Sequence, residues 1–181
     1  MKGKKRIIMM YTMGFIIILT MFFLMCASEL SMFNTLWSLL LIILSYIAMA
    51  FDINTKQIPN ELIVIMIIAW LILIVPVLLY DMDYGVKLLM DSLLGLLIGG
   101  GMFLVVYIVS RKGLGGGDVK FMAAAGLYLG LAGTIPAILF GSVLAAITGL
   151  ILIVIKKIKR KDAIPLVPFL FVGILITAFT G

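Results

Sequence analysis

Histidine is absent from this 181-residue chain, and cysteine occurs once, at Cys26. The first absence excludes catalytic triads and metal sites built on imidazole. The second excludes an intrachain disulfide and the paired-cysteine zinc motifs. Charge is scarce as well: Asp, Glu, Lys and Arg make up 12% of the chain, against roughly 25% in soluble domains. What is there is apolar. The hydrophobic share is 65%, far above the roughly 45–50% of a soluble domain, which makes this a polytopic membrane protein. The formal charge is +6, but the basic residues stand in short runs between apolar segments, without interleaved aromatics. They are read as topology signals, and no nucleic-acid partner is expected.

Apolar runs suited to crossing about 30 Å of hydrocarbon occupy positions 7–26, 35–51, 61–80, 88–109, 137–155 and 164–180. The stretch Val119–Ile155 would be about 55 Å long as one helix, so it must break, and AGTIP, Ala132–Pro136, is the expected place. The chain is therefore read as all-α, a helix bundle of about seven transmembrane segments. Its fifth segment, Val119–Leu131, is short at about 20 Å. The opening MKGKKR and the run Ile7–Cys26 resemble a signal peptide, but the run exceeds the usual signal core of about 7–15 residues. A retained anchor is expected, and Met25 before Cys26 fits a lipoprotein cleavage site poorly.

Orientation follows from the basic residues. With the N-terminus cytoplasmic, that face receives Lys2, Lys4, Lys5 and Arg6; Lys56; Arg111, Lys112 and Lys120; and Lys156, Lys157, Lys159, Arg160 and Lys161. Of the 14 basic residues only Lys87 is left outside. This describes a multi-pass protein of the cytoplasmic membrane, with lipid around it. Glu29, Asp81, Asp83 and Asp91 are read as solvated outer-loop charges, and Asp162 as a loop charge neutralised by the bases before it. Asp52, Glu61 and Asp118 fall on the cytoplasmic side.

Two of these acids form a constellation. Asp52 closes the second span in AFDINTKQIPNEL, and Asp118 opens the fifth in GLGGGDVKF, behind Gly115–Gly117. Helix packing that brought them to one membrane level would make an aspartic-protease pair. One proton is then shared, the ionised carboxylate activates a water and the protonated one polarises the scissile carbonyl. Each acid also has a plainer reading, Asp118 as a helix N-cap and Asp52 as a loop acid balanced by Lys56. Singly, these stand level with catalysis; jointly they weaken, because an N-cap needs no triple glycine. A nucleotide-binding loop lacks its strand context here. Gly126 and Gly130 form a GxxxG spacing, read as internal packing points ahead of substrate docking.

These residues together resemble the type IV prepilin peptidase family of membrane aspartic proteases, over about Tyr46–Leu170. Three elements occur in order: Asp52 followed by Ile58-Pro59-Asn60; Gly115-x-Gly117-Asp118-x-Lys120; and IPLVPFL, Ile164–Leu170, with Pro165 and Pro168. The resemblance implies that Asp52 and Asp118 are catalytic. It makes Pro59, Asn60, Gly115, Gly117, Lys120, Pro165 and Pro168 supporting residues, with the glycines giving a substrate backbone close approach. Lys120 is read equally as a site residue and as a snorkelling topology residue. No metal or cofactor is implied. Leu166 and Val167 depart from the family's usual Phe-Gly. The large loop and cysteine pairs of bifunctional N-methyltransferase members are missing, so residues 1–181 are expected to form one protease-only domain. It would be similar to the short peptidases of tight-adherence pili or to preflagellin peptidases. The implied partner is a prepilin-like or preflagellin-like membrane protein with a basic leader, cleaved on the cytoplasmic side; no oligomeric state follows. The competing class is a small ion- or proton-coupled transporter using the same carboxylates. A presenilin-like protease shares Gly-x-Gly-Asp, but its Tyr-Asp and Pro-Ala-Leu motifs are absent.

Overall fold

The computed structural model describes residues 32–110, 113–157 and 164–180, with isolated positions 12, 14, 16, 19 and 20. Most of the run 7–26, with Cys26, Glu29, Arg111, Lys112 and Asp162, lies outside the described residues. Among those described there are five helices and no strand: α1 Met32–Thr55, α2 Asn60–Tyr80, α3 Met82–Val109, α4 Gly116–Val154 and α5 Val167–Thr180. Helices are the form that satisfies backbone N–H and C=O groups within one segment in hydrocarbon. The first four are long and apolar enough to cross a membrane, and α5 carries a shorter apolar stretch, Val167–Ala178.

α2 is apolar all round, as a helix facing both lipid and protein must be. Its buried stripe, Leu62, Met66, Trp70 and Ile74, recurs every fourth residue and packs on the bundle. A single residue, Asp81, separates α2 from α3. Its N–H donates to the Val77 carbonyl, and its carboxylate accepts the Tyr84 N–H at 3.0 Å. With its cap in place α3 starts at Met82, six positions before the apolar run begins. Asp83 therefore lies in the first turn of α3 and Asp91 well inside it, rather than in an outer loop as the sequence reading had them.

α4 is the element that shapes the bundle. It does break, but at Gly130 (φ 62°, ψ −173°), just before the expected Ala132–Pro136. That backbone region belongs almost to glycine alone, so a glycine sets the break and Pro136 is accommodated in the helix beyond it. Both ends of α4 meet the same neighbourhood. Asp118 shares a cavity with Asp52, while Gly149 faces Ile164 and Val167 bonds Asp52. A straight helix would hold positions 118 and 149 about 46 Å apart, so the chain turns back on itself at Gly130. The first arm, 116–129, is about 21 Å long and packs on α3; the second, 131–154, packs on α5.

Glycines set both contacts. A Cβ on Gly95 of α3 would collide with the Gly126 backbone, and one on Gly126 with Gly95. On the other side Gly141 and Gly173 hold the second arm against α5. Such small-residue seams replace the hydrophobic drive that helices lack in lipid. Gly126 is thus an internal packing point, and Gly130 is the turn. Trp37 Nε1 donates to the Tyr128 carbonyl at 2.8 Å, and the Tyr128 hydroxyl to the Met66 carbonyl at 2.6 Å, linking α1, α4 and α2. Gly126→Ala is expected to cost about 1–3 kcal/mol through overpacking, read as a lower midpoint of thermal unfolding in detergent. Gly101→Ala, at a position with nothing within 4 Å, is expected to leave the midpoint unchanged or raise it.

Candidate active site

Asp52 lies in the last turn of α1. The helix stops where Lys56 takes a left-handed conformation (φ 53°), its N–H bonded to the Asp52 carbonyl at 2.9 Å. A non-glycine residue held there is uncommon and marks a constrained turn. The chain then passes through Gln57 and Ile58 to Pro59, which is extended (φ −60°, ψ 137°) and is the N-cap of α2, where the missing proline N–H costs no helical bond. Asn60, the first residue of α2, accepts a bond from Lys120 Nζ at 2.8 Å. Lys120 and Asn60, both motif residues, therefore tie α4 to α2 directly.

Asp118 is the third residue of α4, with Gly115 as N-cap. Its carboxylate accepts the Gly115 N–H at 3.1 Å, the return half of a capping box. The plainer reading of Asp118 is thus met in part: it helps to close the start of its own helix, and it also lines a cavity. The neighbouring glycines are not all demanded by internal packing. A Cβ at Gly115 would press on the Asp118 carboxylate at 3.0 Å, one at Gly117 would touch Ile58 at an ordinary 3.4 Å, and one at Gly116 would meet nothing within 4 Å. The loop leaves room that the fold itself does not fill.

Asp52 is only 5% exposed, so its carboxylate needs donors. One comes from α5: the Val167 N–H donates to Asp52 Oδ2 at 3.0 Å. Val167 is the first residue of that helix, so Asp52 caps α5 from another element. The local sequence explains the choice of donor. In Ile164-Pro165-Leu166-Val167-Pro168 the prolines have no N–H to offer, which leaves only the amides of Leu166 and Val167 between them, and the Val167 amide meets Asp52. The departure from Phe-Gly at these positions therefore changes side chains but leaves the backbone contact. Pro165 and Pro168 flank the contact and are not among the cavity-lining residues.

The cavity, about 380 Å³, is lined by Asp52, Lys56, Gln57, Ile58, Asn60, Gly115, Gly116, Gly117, Asp118 and Lys120. Asp52 and Asp118, 66 positions apart in the chain, are close enough for the charge of one to act on the other, and Lys56 acts on Asp52. Asn60, Gly115, Gly117 and Lys120 join them; Pro59 sits between two of the lining residues. The sequence reading did not place Gln57 in the site, took Lys56 only as a balancing charge and missed the Val167 amide. The proline spacing was the available sign of the last. A larger cavity of about 460 Å³ lies between Trp37, Tyr128 and Thr177, but no carboxylate or basic side chain lines it.

A family model described as the type IV leader peptidase family matches residues 38–150, a stretch that holds every residue lining the 380 Å³ cavity. Over 74 residues the chain is 35% identical to a prepilin leader peptidase/N-methyltransferase of Xanthomonas campestris pv. campestris, covering 41% of this chain and 26% of that protein. The match thus spans about a quarter of the relative's length. No solved structure matches the chain.

The bond from Val167 to Asp52 can be tested apart from any activity. Proline is tolerated at a first helical position, so Val167→Pro deletes the donor and keeps the helix. It is expected to cost about 1–3 kcal/mol more than Val167→Ala, which trims the same buried side chain but keeps the N–H, the difference being the penalty for an unsatisfied buried acceptor. Thermal unfolding in detergent reads both.

Proposed function

The chain belongs to the type IV leader peptidase family, and from that premise we propose that this multi-pass membrane protein is an aspartic endopeptidase acting through Asp52 and Asp118. The observation that carries this reading is their juxtaposition: two carboxylates from α1 and α4 line one cavity beside a glycine edge with open space. In such a pair one proton is held between the two groups. The ionised carboxylate takes a proton from a water, whose oxygen attacks the scissile carbonyl carbon. The protonated carboxyl donates to the carbonyl oxygen. Collapse of the tetrahedral intermediate breaks the C–N bond as a proton passes to the leaving nitrogen, and the pair returns to its single-proton state.

The proposed substrate is a prepilin-like or preflagellin-like membrane protein, with a short basic leader ahead of an apolar helix. Its cleavage site would enter the cavity past Gly115–Gly117. Orientation supports cleavage at the cytoplasmic face: Lys56 and Lys120 line the cavity, and Lys156 and Lys157 follow the α4 arm that returns to the same end of the bundle. We place that end in the cytoplasm and count the two arms of α4 as separate segments of a bundle of about seven. Peptidase activity is the part of the family's chemistry that we propose for residues 1–181, which hold a single cysteine and so no cysteine pair.

The transporter reading has one observation on its side, the interrupted α4, since broken helices mark ion sites in transporters. Those folds pair two broken helices through inverted repeats, and among the described residues α4 alone is interrupted. The peptidase reading is the better supported.

Membranes carrying Asp52→Asn or Asp118→Asn are expected to lose cleavage of a leader-bearing prepilin by at least about 10³-fold, each variant alone nearly as inactive as the pair, because members of one catalytic unit are not additive. Retained cleavage in either variant would sink the pair assignment. Gly116→Leu projects into space left open in the free protein. It is expected to raise KM about tenfold or more, a loss of about 1.4 kcal/mol of binding, with the unfolding midpoint unchanged.

A further inference from the structure

Asp91 is an acid inside the apolar run of α3, where a carboxylate without partners is expensive. It lies at the α4 turn. Its Oδ1 accepts the Leu131 N–H at 3.1 Å. Its other oxygen lies against Gly130, so closely that a Cβ there would collide with the carboxylate. Leu131 is the first residue of the second arm, and its N–H is one of the donors that a helix start leaves without an intrahelical partner. On the far side of the turn the Thr134 hydroxyl donates to the Gly130 carbonyl at 2.6 Å. The only left-handed glycine among the described residues, an acid on a neighbouring helix and a hydroxyl thus close one joint.

We propose that Asp91 is a positioning residue for the carboxylate pair, acting through the α4 turn. The first arm carries Asp118, about 18 Å from Gly130 along the helix. The second arm packs on α5, whose first amide holds Asp52. The angle between the arms therefore sets where the two carboxylates stand relative to each other, and Asp91 holds that angle through the Leu131 N–H. What this requires of Asp91 is an acceptor oxygen at that place, not its charge. The proposal rests on the peptidase reading for its catalytic consequence but not for its geometry.

The test separates the two. In a Cys26→Ser background, Ile58→Cys and Gly117→Cys join the α1–α2 link to the first arm. A Cβ at position 117 lies 3.4 Å from the Ile58 Cβ, near the separation of about 3.5–4.5 Å that a disulfide spans. The rate of copper-catalysed disulfide formation in membranes is then measured with Asp91 intact and replaced. Asp91→Ala is expected to slow it about tenfold. Asp91→Asn, which keeps an acceptor oxygen, is expected to stay within about threefold of the parent. Leu131→Pro deletes the donor and keeps the carboxylate, at a position where proline suits a helix start; it is expected to match Asp91→Ala and to add nothing to it. It also keeps the proposal testable should Asp91→Ala fail to fold. With prepilin, Asp91→Ala is expected to lower kcat about tenfold with KM within about twofold, and Asp91→Asn to recover most of that loss. Crosslinking as fast in Leu131→Pro as in the parent overturns the proposal, and so does Asp91→Asn behaving like Asp91→Ala. A parent chain that cleaves no prepilin overturns the peptidase reading, and the crosslinking rates still decide the role of Asp91.

Discussion

An acid in an apolar bundle has to find backbone N–H groups, and a helix that starts there has to find acceptors; this chain meets both needs with the same pairs. Asp81 accepts from Tyr84 at the start of α3, and Asp118 from Gly115 at the start of α4. Asp91 accepts from Leu131 at the start of the second α4 arm, and Asp52 from Val167 at the start of α5. The first turn of a helix offers unpaired donors and the positive end of its dipole. A donor and a carboxylate paired in this way leave neither group bare. Two of the four pairs are local, each three residues apart. The other two join elements distant in sequence, Asp91 to Leu131 and Asp52 to Val167.

The candidate site follows from that constraint. Asp52 is held by the α5 amide, Asp118 by its own helix start, and the turn at Gly130 lets one continuous stretch of chain serve both. One arm of α4 delivers Asp118 to the cavity, and the other delivers α5, and with it the Val167 donor, to Asp52. Lys120 and Asn60 tie the floor of the cavity across α4 and α2. The edge made by Gly115–Gly117 stays open because nothing in the fold occupies the space at Gly116. Two carboxylates lining one cavity beside an unfilled backbone edge are the arrangement on which the peptidase proposal rests.

Much of this was legible along the chain. Apolar runs mark α1, α2 and α3 because membrane thickness demands a minimum length, and the 37-residue stretch from Val119 demanded a break. The Gly-x-Gly-Asp and Asp…Ile-Pro-Asn elements pointed to the residues that line the cavity. The exact turn was less legible: AGTIP looks like a stop, yet the turn falls at Gly130, in a backbone region almost confined to glycine, beside an acid on a neighbouring helix that accepts the next N–H. For the same reason Asp91 read as a loop charge. Nothing in its local sequence tells a solvated acid from one that closes a turn 40 positions later. Leu166 and Val167 looked like a weakened motif, because side chains are what a sequence displays and the contact is made by a backbone amide.

By itself the sequence determined the class of the molecule, an all-helical membrane chain without imidazole or intrachain disulfide chemistry, and it singled out the two acids on which the peptidase proposal rests. Composition and span length settle the first through the cost of bare backbone in lipid, and the second follows from the resemblance of the motifs to the family. Only the tertiary structure decided that Asp52 and Asp118 share one cavity, that α4 reverses at Gly130, and which amide meets which carboxylate. Those are contacts between residues 40 to 115 positions apart, fixed by glycine seams between helices and by unpaired donors at helix starts, and no local pattern encodes the partner on the other side.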